Sequence, residues 1–186
     1  MRKGRSKRSV GGKVRPTTQK ILESLSSILQ PRLEDSQVLD LFAGTGRVGM
    51  RLAELGARSV VFVEGNRKVA QELRGALREQ AMEGVEFSLV QGAIPQVLSK
   101  VRGRYSVVVC DPPYDWDQPA TLLPSALELV EPGGILVVEH HHKTAYEPVP
   151  GWDLWRREKF GETRLSFFER LPVHGPDHYA DDQKDT

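Results

Sequence analysis

Hydrophobic positions recur with two different spacings along this chain, and these spacings predict where its helices and strands lie. Residues 1–14 show no apolar periodicity and are expected to form a flexible arm. The motif Arg15-Pro-Thr-Thr then introduces a helix with Thr17 as its N-cap, and Pro31 follows the end of that helix. The apolar residues of this helix share one face: Ile21, Leu22, Leu25, Ile28 and Leu29.

Downstream of this helix, short apolar runs alternate with helical patterns. Strands are predicted at residues 38–42, 59–64, 85–89, 105–110 and 135–139. Helices are predicted at 48–55, with Gly56 as its C-cap, and after Asn66, which caps the next helix. A short helix is predicted after Pro95 and a longer one at 122–130, followed by a turn at Gly133-Gly134. This alternation predicts an α/β fold whose mostly parallel sheet carries helices on both faces.

The last part of the chain departs from this alternation. Residues 152–160 and 164–170 flank a Gly-Glu-Thr turn and predict a closing antiparallel β-hairpin. Residues 173–186 are polar and are expected to be a disordered tail. The predicted organisation is therefore a basic arm at 1–14, one domain at 15–172 and a tail at 173–186.

Composition fits one globular domain. The 186 residues are 39% hydrophobic and 27% charged, which supplies a core. No apolar run is long enough to span a bilayer, and the basic N-terminus has no hydrophobic stretch behind it, so a secretory signal is not expected. The single cysteine, Cys110, cannot form an internal disulfide. A cytoplasmic, monomeric enzyme without membrane contact is the simplest interpretation.

The overall charge of +1 hides an uneven distribution. Residues 1–32 contain nine Lys or Arg and one acid, so the rest of the chain holds seventeen basic and twenty-four acidic residues. A basic arm on an acidic body suits a polyanionic partner such as nucleic acid. The alternative is a solvated tail without a partner.

A glycine-rich turn follows the first predicted strand. It reads Asp40-Leu-Phe-Ala-Gly-Thr-Gly46, and Gly44 and Gly46 let the backbone approach a ligand closely. Glu64 ends the second strand about 20 residues further on, where a carboxylate can bind both ribose hydroxyls. We therefore expect a cofactor at this edge of the sheet.

Two cofactors fit a turn of this kind. The run from Gly44 to Gly49 formally matches the dinucleotide pattern, but the Asp40 carboxylate would repel a pyrophosphate. The ammonium group of S-adenosylmethionine would instead be attracted to Asp40. We therefore favour S-adenosylmethionine. The alternative is that the glycines only form the turn and bind no cofactor. Adenine contacts are expected from Gln91 or from the backbone amides of Gly92 and Ala93.

The motif Cys110-Asp-Pro-Pro-Tyr114 follows the fourth predicted strand, at the same sheet edge. Its two prolines hold the loop rigidly, so they orient Asp111 and the neighbouring carbonyls. A carboxylate and a carbonyl can together hold both protons of an exocyclic base amine and aim its lone pair at a methyl donor. Tyr114 offers a ring on which an extruded base can stack. The alternative is a plain loop with Tyr114 used in packing.

Other residues with reactive or stacking side chains have simpler interpretations. Cys110 alternates with Asp111 and is expected to point into the core. Adjacent histidines on an extended strand point in opposite directions, so residues 140–142 are not expected to bind a metal ion. Trp152 and Trp155 are expected to pack within the hairpin.

The motifs together resemble the RsmD family of 16S ribosomal RNA guanine-N2 methyltransferases over residues 11–170. Five elements carry the resemblance: Arg15-Pro-Thr-Thr, Leu39-Asp-Leu-Phe-Ala-Gly-Thr-Gly46, Phe62-Val-Glu64, Asp111-Pro-Pro-Tyr114 and Phe160-Gly-Glu-Thr-Arg-Leu-Ser-Phe-Phe168. The glycine turn is common to class I methyltransferases, and Asp-Pro-Pro-Tyr also occurs in DNA adenine-N6 enzymes. The first and last elements narrow the resemblance to this family.

The resemblance implies a seven-stranded, Rossmann-like class I fold and a set of site residues. It implies a target base at Asp111, Pro112, Pro113 and Tyr114, with Arg15, Thr17 and Thr18 near it as substrate-binding residues. The implied cofactor contacts are Asp40, Phe42, Ala43, Gly44, Thr45, Gly46 and Glu64. Gly92 departs from the family, which has Asp or Asn there.

The leading hypothesis is thus an S-adenosylmethionine-dependent 16S rRNA guanine-N2 methyltransferase acting on RNA or a partly assembled small subunit. A DNA adenine-N6 methyltransferase would use the same chemistry, but the chain has no separate domain to read a DNA sequence. A catalytically silent RNA-binding assembly factor of the same fold is the rival from another class, and intact Asp40, Glu64 and Asp111 argue against it. A nicotinamide oxidoreductase is the weakest alternative, because the sequence shows no set of residues suited to catalyse hydride transfer.

Overall fold

The computed structural model describes residues 16–113, 119–146 and 148–171 of the chain. The helices are α1 (Pro16–Leu29), α2 (Arg47–Glu54), α3 (Arg67–Glu79) and α4 (Pro119–Glu128), with 3₁₀ helices at Gln30–Arg32 and Gln96–Lys100. The strands are β1 (Gln37–Leu41), β2 (Ser59–Glu64), β3 (Glu86–Gln91), β4 (Tyr105–Cys110), β5 (Val130–His141), β6 (Trp152–Phe160) and β7 (Thr163–Arg170). The predicted arm at 1–14 and the predicted tail at 173–186 fall outside the described residues.

All seven strands form one sheet in the order β3-β2-β1-β4-β5-β7-β6. The pairs among β1 to β5 are parallel, whereas β7 lies antiparallel between β5 and β6. The predicted α/β fold with a closing antiparallel hairpin is therefore confirmed. Strand order reverses between β1 and β4, and in open α/β sheets this is where a crevice forms beyond the carboxyl ends of the strands.

The sheet separates two hydrophobic layers. One layer contains buried residues of α1, α2 and α3, such as Leu25, Leu52 and Leu73. The other contains buried residues of α4 and of the second 3₁₀ helix, such as Leu122 and Val97. Strand β4 contributes alternately to both layers, because it is covered on both faces, as its continuous apolar run predicts. The framework beneath the carboxyl edge is thus packed from both sides.

Several local predictions are confirmed. The Asn66 side chain caps α3 by accepting hydrogen bonds from the N–H groups of Lys68 (3.0 Å) and Val69 (3.2 Å). Gly56 follows α2 with a φ of 118°, a conformation that favours glycine. Cys110 is buried in the core.

Three local predictions are wrong. Thr17 lies inside the first turn of α1 and is not its N-cap, because the helix begins at Pro16, whose fixed φ suits a first helical position. Phe42 lies beyond the end of β1, in the left-handed region with a φ of 62°. Gly133-Gly134 does not separate a helix from a strand: α4 ends at Glu128, and β5 runs continuously through the glycines with an irregularity in its pairing to β4.

Candidate active site

The glycine-rich turn connects β1 to α2 at the carboxyl edge of the sheet. Phe42, Gly44 and Gly46 have φ values of 62°, 57° and 78°, so the chain reverses through three left-handed residues. A Cβ on Gly46 would lie 2.5 Å from Leu73 Cδ1, so any other residue there would displace the Leu73 side chain and would also be strained at a φ of 78°. A Cβ on Gly44 would meet only the Phe42 carbonyl oxygen, at 3.8 Å, so this glycine borders open space. The turn is tightly packed below Gly46 and accessible at Gly44.

Asp40 is buried beneath this turn and supplies the helix cap that the turn lacks. Gly46 occupies the N-cap position of α2 but has no side chain to accept a hydrogen bond. Asp40 Oδ2 instead accepts one from the N–H of Gly49, the third residue of the helix, at 2.9 Å. The carboxylate therefore joins β1 to the positive end of α2.

Glu64 ends β2 and braces the other side of the turn. Its Oε2 accepts a hydrogen bond from the Gly44 N–H at 2.8 Å, and its Oε1 accepts one from the Asn66 N–H at 2.7 Å. Each carboxylate oxygen has a second lone pair, so these bonds leave acceptor capacity for a ligand hydroxyl. Glu64 thus fixes the position of Gly44 and still presents acceptors at the edge.

Asp111 is half-buried directly after β4, and its N–H lies 3.4 Å from the Leu41 carbonyl oxygen. This bond continues the pairing of β4 with β1 by one residue, so the loop that follows begins at a fixed place. Pro112 and Pro113 are also half-buried. Tyr114, the last residue of the predicted catalytic motif, lies outside the described residues.

The carboxylates of Glu64 and Asp111 are close enough to Asp40 to influence its pKa. Burial raises the pKa of Asp40 to about 7; the Gly49 hydrogen bond opposes this rise, and the charges of Asp111 and Glu64 add to it. A cation at this edge would relieve the repulsion between them. The arrangement is therefore suited to a small positively charged ligand.

The end of β3 departs from the sequence-based expectation for the adenine contact. The Gly92 N–H donates a hydrogen bond to the Glu64 carbonyl oxygen at 3.1 Å, so it is already used. A Cβ on Gly92 would lie 2.5 Å from Val97 Cγ2, which explains why glycine stands where the resemblance implies Asp or Asn. The exposed Gln91 and Ala93 remain as candidates for this contact.

The amino-terminal end of α1 lies beside the glycine turn. The Arg47 guanidinium, at the start of α2, donates a hydrogen bond to the Gln19 side-chain oxygen. Both residues line a groove of about 600 Å³ between α1, α2 and α3, which Thr45 also borders. Thr17 and Thr18 precede Gln19 in α1, and Arg15 lies outside the described residues.

Sequence reasoning missed an aromatic pair near the carboxyl end of β4. His140 is buried at the end of β5, with Nε2 2.8 Å from Ser166 Oγ and Nδ1 2.9 Å from the His141 carbonyl oxygen. The Tyr146 ring packs edge-on against His140 at 4.9 Å. Burial, with a smaller contribution from Cys110, raises the pKa of Tyr146 to about 12. Neither residue stands in a recognisable motif; only the position of His140 at a strand end could have signalled it.

The histidine run is divided by the end of β5. The His140 side chain is buried against one face of the sheet. The rings of His141 and His142 lie 4.5 Å apart, because the strand ends at His141 and a turn begins at His142. The expected alternation therefore stops at His141. No group of three or more His, Cys, Asp or Glu side chains suited to a metal ion occurs within the described residues. In the same part of the chain, none of the helices combines the length and apolar character needed to span a bilayer.

Comparisons with known proteins agree with this architecture. Residues 2–169 match the family model described as conserved hypothetical protein 95. Ribosomal RNA small subunit methyltransferase D of Escherichia coli K12 is 27% identical over 164 residues, which cover 84% of this chain and 80% of that protein.

Solved structures share the fold. The structure of yhhF from Escherichia coli has a TM-score of 0.76 at 23% identity and covers 88% of this chain and 91% of its own. Magnesium protoporphyrin IX methyltransferase of Synechocystis PCC 6803, solved with bound S-adenosylhomocysteine, has a TM-score of 0.68 at 17% identity, covering 87% and 90%. At these identities the likeness concerns the fold.

Proposed function

Because the chain belongs to the conserved hypothetical protein 95 family, we propose that it is an S-adenosylmethionine-dependent ribosomal RNA methyltransferase of the RsmD type. Its product is N2-methylguanosine in 16S rRNA, and it acts in the cytoplasm on free RNA or on a partly assembled small subunit. The relative named ribosomal RNA small subunit methyltransferase D supports the substrate class. The observation that carries the proposal is the convergence of Asp40, Glu64 and Asp111 at one sheet edge.

The residues at this edge fit S-adenosylmethionine. The cofactor carries an ammonium and a sulfonium group, and either positive charge would be stabilised by Asp40, whose pKa is raised by burial and by the charges of Asp111 and Glu64. Gly44 borders open space, so a ligand can approach the turn without meeting a Cβ. Glu64 has acceptor capacity for ribose hydroxyls, and the exposed Gln91 and Ala93 at the end of β3 are our candidates for the adenine contact. When bound, the cofactor supplies an electrophilic methyl group.

Asp111 orients the amine that is methylated. Its carboxylate accepts a hydrogen bond from one N2 proton of the guanine, and the Pro112 carbonyl oxygen accepts the other. This geometry directs the nitrogen lone pair toward the methyl group and favours a pyramidal nitrogen. As the bond forms, positive charge develops on nitrogen, and the nearby carboxylate stabilises it. Asp111 then accepts the departing proton or passes it to water.

The rigid loop gives this step its precision. Two consecutive prolines restrict the backbone after Asp111, and the Asp111 N–H contact to Leu41 anchors the loop to the sheet. Tyr114 stacks on the guanine after it is extruded from its helix. Arg15, Thr17 and Thr18, at or next to the start of α1 in the sequence, contact the substrate RNA.

Nucleoside mass spectrometry of 16S rRNA from a deletion strain tests this function. We expect the loss of one N2-methylguanosine per molecule, with restoration by the parental gene and not by an Asp111→Ala gene. Purified protein should also methylate 16S rRNA or small subunits from that strain. An unchanged N2-methylguanosine content would refute the proposal, and methylation of a DNA duplex at adenine instead would favour the DNA enzyme.

A further inference from the structure

The strand register of the carboxy-terminal hairpin sorts its charged residues onto two faces of the sheet. Residues that pair across the β6–β7 ladder share a face. Arg157 pairs with Ser166, and Lys159 pairs with Arg164, on the face that carries Phe168 and α4. We call Arg157, Lys159 and Arg164 the cationic triad. Four charged residues of β6 and β7 lie on this face, the cationic triad and Arg170, and all four are basic.

The opposite face of the same hairpin differs in both sign and pairing. It carries Asp153, Glu158 and Glu169, with Arg156 as its one cation in β6 and β7. Arg156 forms an ion pair with Glu158 at 2.9 Å, and Arg32 forms one with Glu169 at 2.8 Å. Charges on this face are therefore largely neutralised within the protein.

The triad has no such neutralisation. None of its members has a carboxylate within 4.0 Å among the described residues. Lys159 and Arg164 stand directly opposite each other, an arrangement of like charges that destabilises a sheet. Besides burial, the charges of Arg164 and Arg157 lower the pKa of the neighbouring His140. An anion on this face would remove the repulsion.

The triad lies at the same end of the sheet as the loop that follows β4. Val138 of β5 pairs with Cys110, and His140, two residues further, pairs with Arg164. The strands are about 4.8 Å apart, so Arg164 is roughly 10 Å and Lys159 roughly 14 Å across the sheet from the start of the loop. Arg157 lies about 7 Å along β6 from Lys159. These separations match neighbouring phosphates of a nucleic-acid strand whose base is held at Asp111.

We infer that Arg157, Lys159 and Arg164 bind the RNA backbone next to the target guanine, and that this face of the hairpin is an RNA-docking surface. The inference rests on the proposed function. Arg157 and Lys159 are exposed, so phosphates can reach them. Phosphate contacts position the strand without reading its sequence. The surface thereby fixes where the strand crosses the catalytic loop.

The test uses the full-length triple variant R157Q/K159Q/R164Q and a matched control, Arg156→Gln. Arg156 is adjacent to Arg157 but lies on the opposite face, so the control removes a cation from the same strand. Binding of unmodified 16S rRNA is measured by fluorescence anisotropy across a salt series. The same preparations are assayed for methyl transfer and for S-adenosylhomocysteine binding by calorimetry. Circular dichroism melting establishes that each variant is folded.

We expect the triple variant to bind 16S rRNA about tenfold to a hundredfold more weakly and to reduce the salt slope by about two to three. The KM for RNA should rise, while the cofactor affinity and kcat at saturating RNA stay near the parental values. Arg156→Gln should match the parent, and the charge-preserving variant Lys159→Arg should retain full RNA affinity.

Two failures can be told apart. If the parental protein methylates 16S rRNA but the triple variant keeps the parental salt slope and KM, the docking surface is wrong and the proposed function stands. If the parental protein neither binds S-adenosylhomocysteine nor transfers a methyl group to RNA, the proposed function fails and this inference fails with it. An equal loss of RNA affinity in Arg156→Gln would also overturn the inference, because the effect would then not belong to one face.

Discussion

The carboxylates at the edge of β1, β2 and β4 and the cations on the hairpin face are two charged regions organised in opposite ways. Asp40 and Glu64 each accept backbone hydrogen bonds, so their positions are fixed by the fold. The cationic triad forms no ion pair within the described residues, and two of its members are exposed. One region is built into the protein, and the other projects from it.

This difference corresponds to the ligands that we assign to each region. A compact cation gains most from acceptors that are already oriented, because little ordering is needed on binding. An extended polyanion presents many equivalent phosphates, so mobile side chains can find them without fixed partners. The comparison predicts that changes at the carboxylate edge alter chemistry, cofactor affinity or stability, whereas changes on the hairpin face alter RNA affinity.

The largest expected effect separates the two regions by kinetics. Asp111→Ala should lower kcat about a hundredfold to a thousandfold, because the amine loses its orientation and the developing charge loses its stabilisation. Its RNA affinity should stay parental, the reverse of the triad variant. Single-turnover methyl transfer with saturating RNA measures this directly, and Asp111→Asn should lose less because its amide oxygen still accepts a hydrogen bond. A parental rate in Asp111→Ala would remove Asp111 from the catalytic step.

A second effect concerns stability and pH. The pKa of Asp40 is raised from 3.8 to about 7 in the folded protein, so between these values the folded protein keeps a proton that the unfolded chain has lost. The free energy of unfolding should therefore fall as pH rises, by about 2 kcal/mol between pH 5 and pH 7 from this group. Urea unfolding at both pH values should show that Asp40→Asn lacks this decrease.

Asp153→Asn serves as the control for this measurement, since Asp153 is an exposed acid on β6. It should retain the parental pH dependence. If Asp40→Asn also retains the parental pH dependence of the free energy of unfolding, titration of the buried Asp40 carboxyl is not its cause.

The smallest effect tests whether Glu64 binds ligand as well as bracing the turn. Glu64→Gln keeps one oxygen for a backbone N–H and loses the charge, so the fold should survive. The affinity for S-adenosylhomocysteine should fall about fivefold to tenfold, the difference between charged and neutral hydrogen bonds of about 1 kcal/mol. Calorimetry compares it with Glu79→Gln, an exposed position in α3. Unchanged affinity would restrict Glu64 to the brace.

Much of the fold was predictable from sequence because its signals are local. The continuous apolar run of β4, the cap at Asn66 and the hairpin around Gly161 each follow from a few neighbouring residues. The convergence of Asp40, Glu64 and Asp111 was also predictable, since parallel strands place their carboxyl ends at one edge.

The remaining features depend on contacts between distant residues. Nothing near Asp40 in sequence shows that it caps α2 through Gly49, since this requires the turn to fold back over the strand. The Gly92 N–H is not available for adenine because it donates a hydrogen bond to the Glu64 carbonyl oxygen, and this bond depends on the pairing of β3 with β2. Segregation of charge on the hairpin depends on register, and one extra residue at Trp155 reverses the alternation of β6.

That extra residue has a consequence for how copies of the protein behave in concentrated solution. Strand β6 is the outermost strand of the sheet beside β7, and an outermost strand is a template for pairing with another chain. The irregularity between Leu154 and Arg156 interrupts such a template, and the outward charges of Arg157 and Lys159 repel a second copy. The residues that attract RNA therefore also act as gatekeepers against edge-to-edge aggregation.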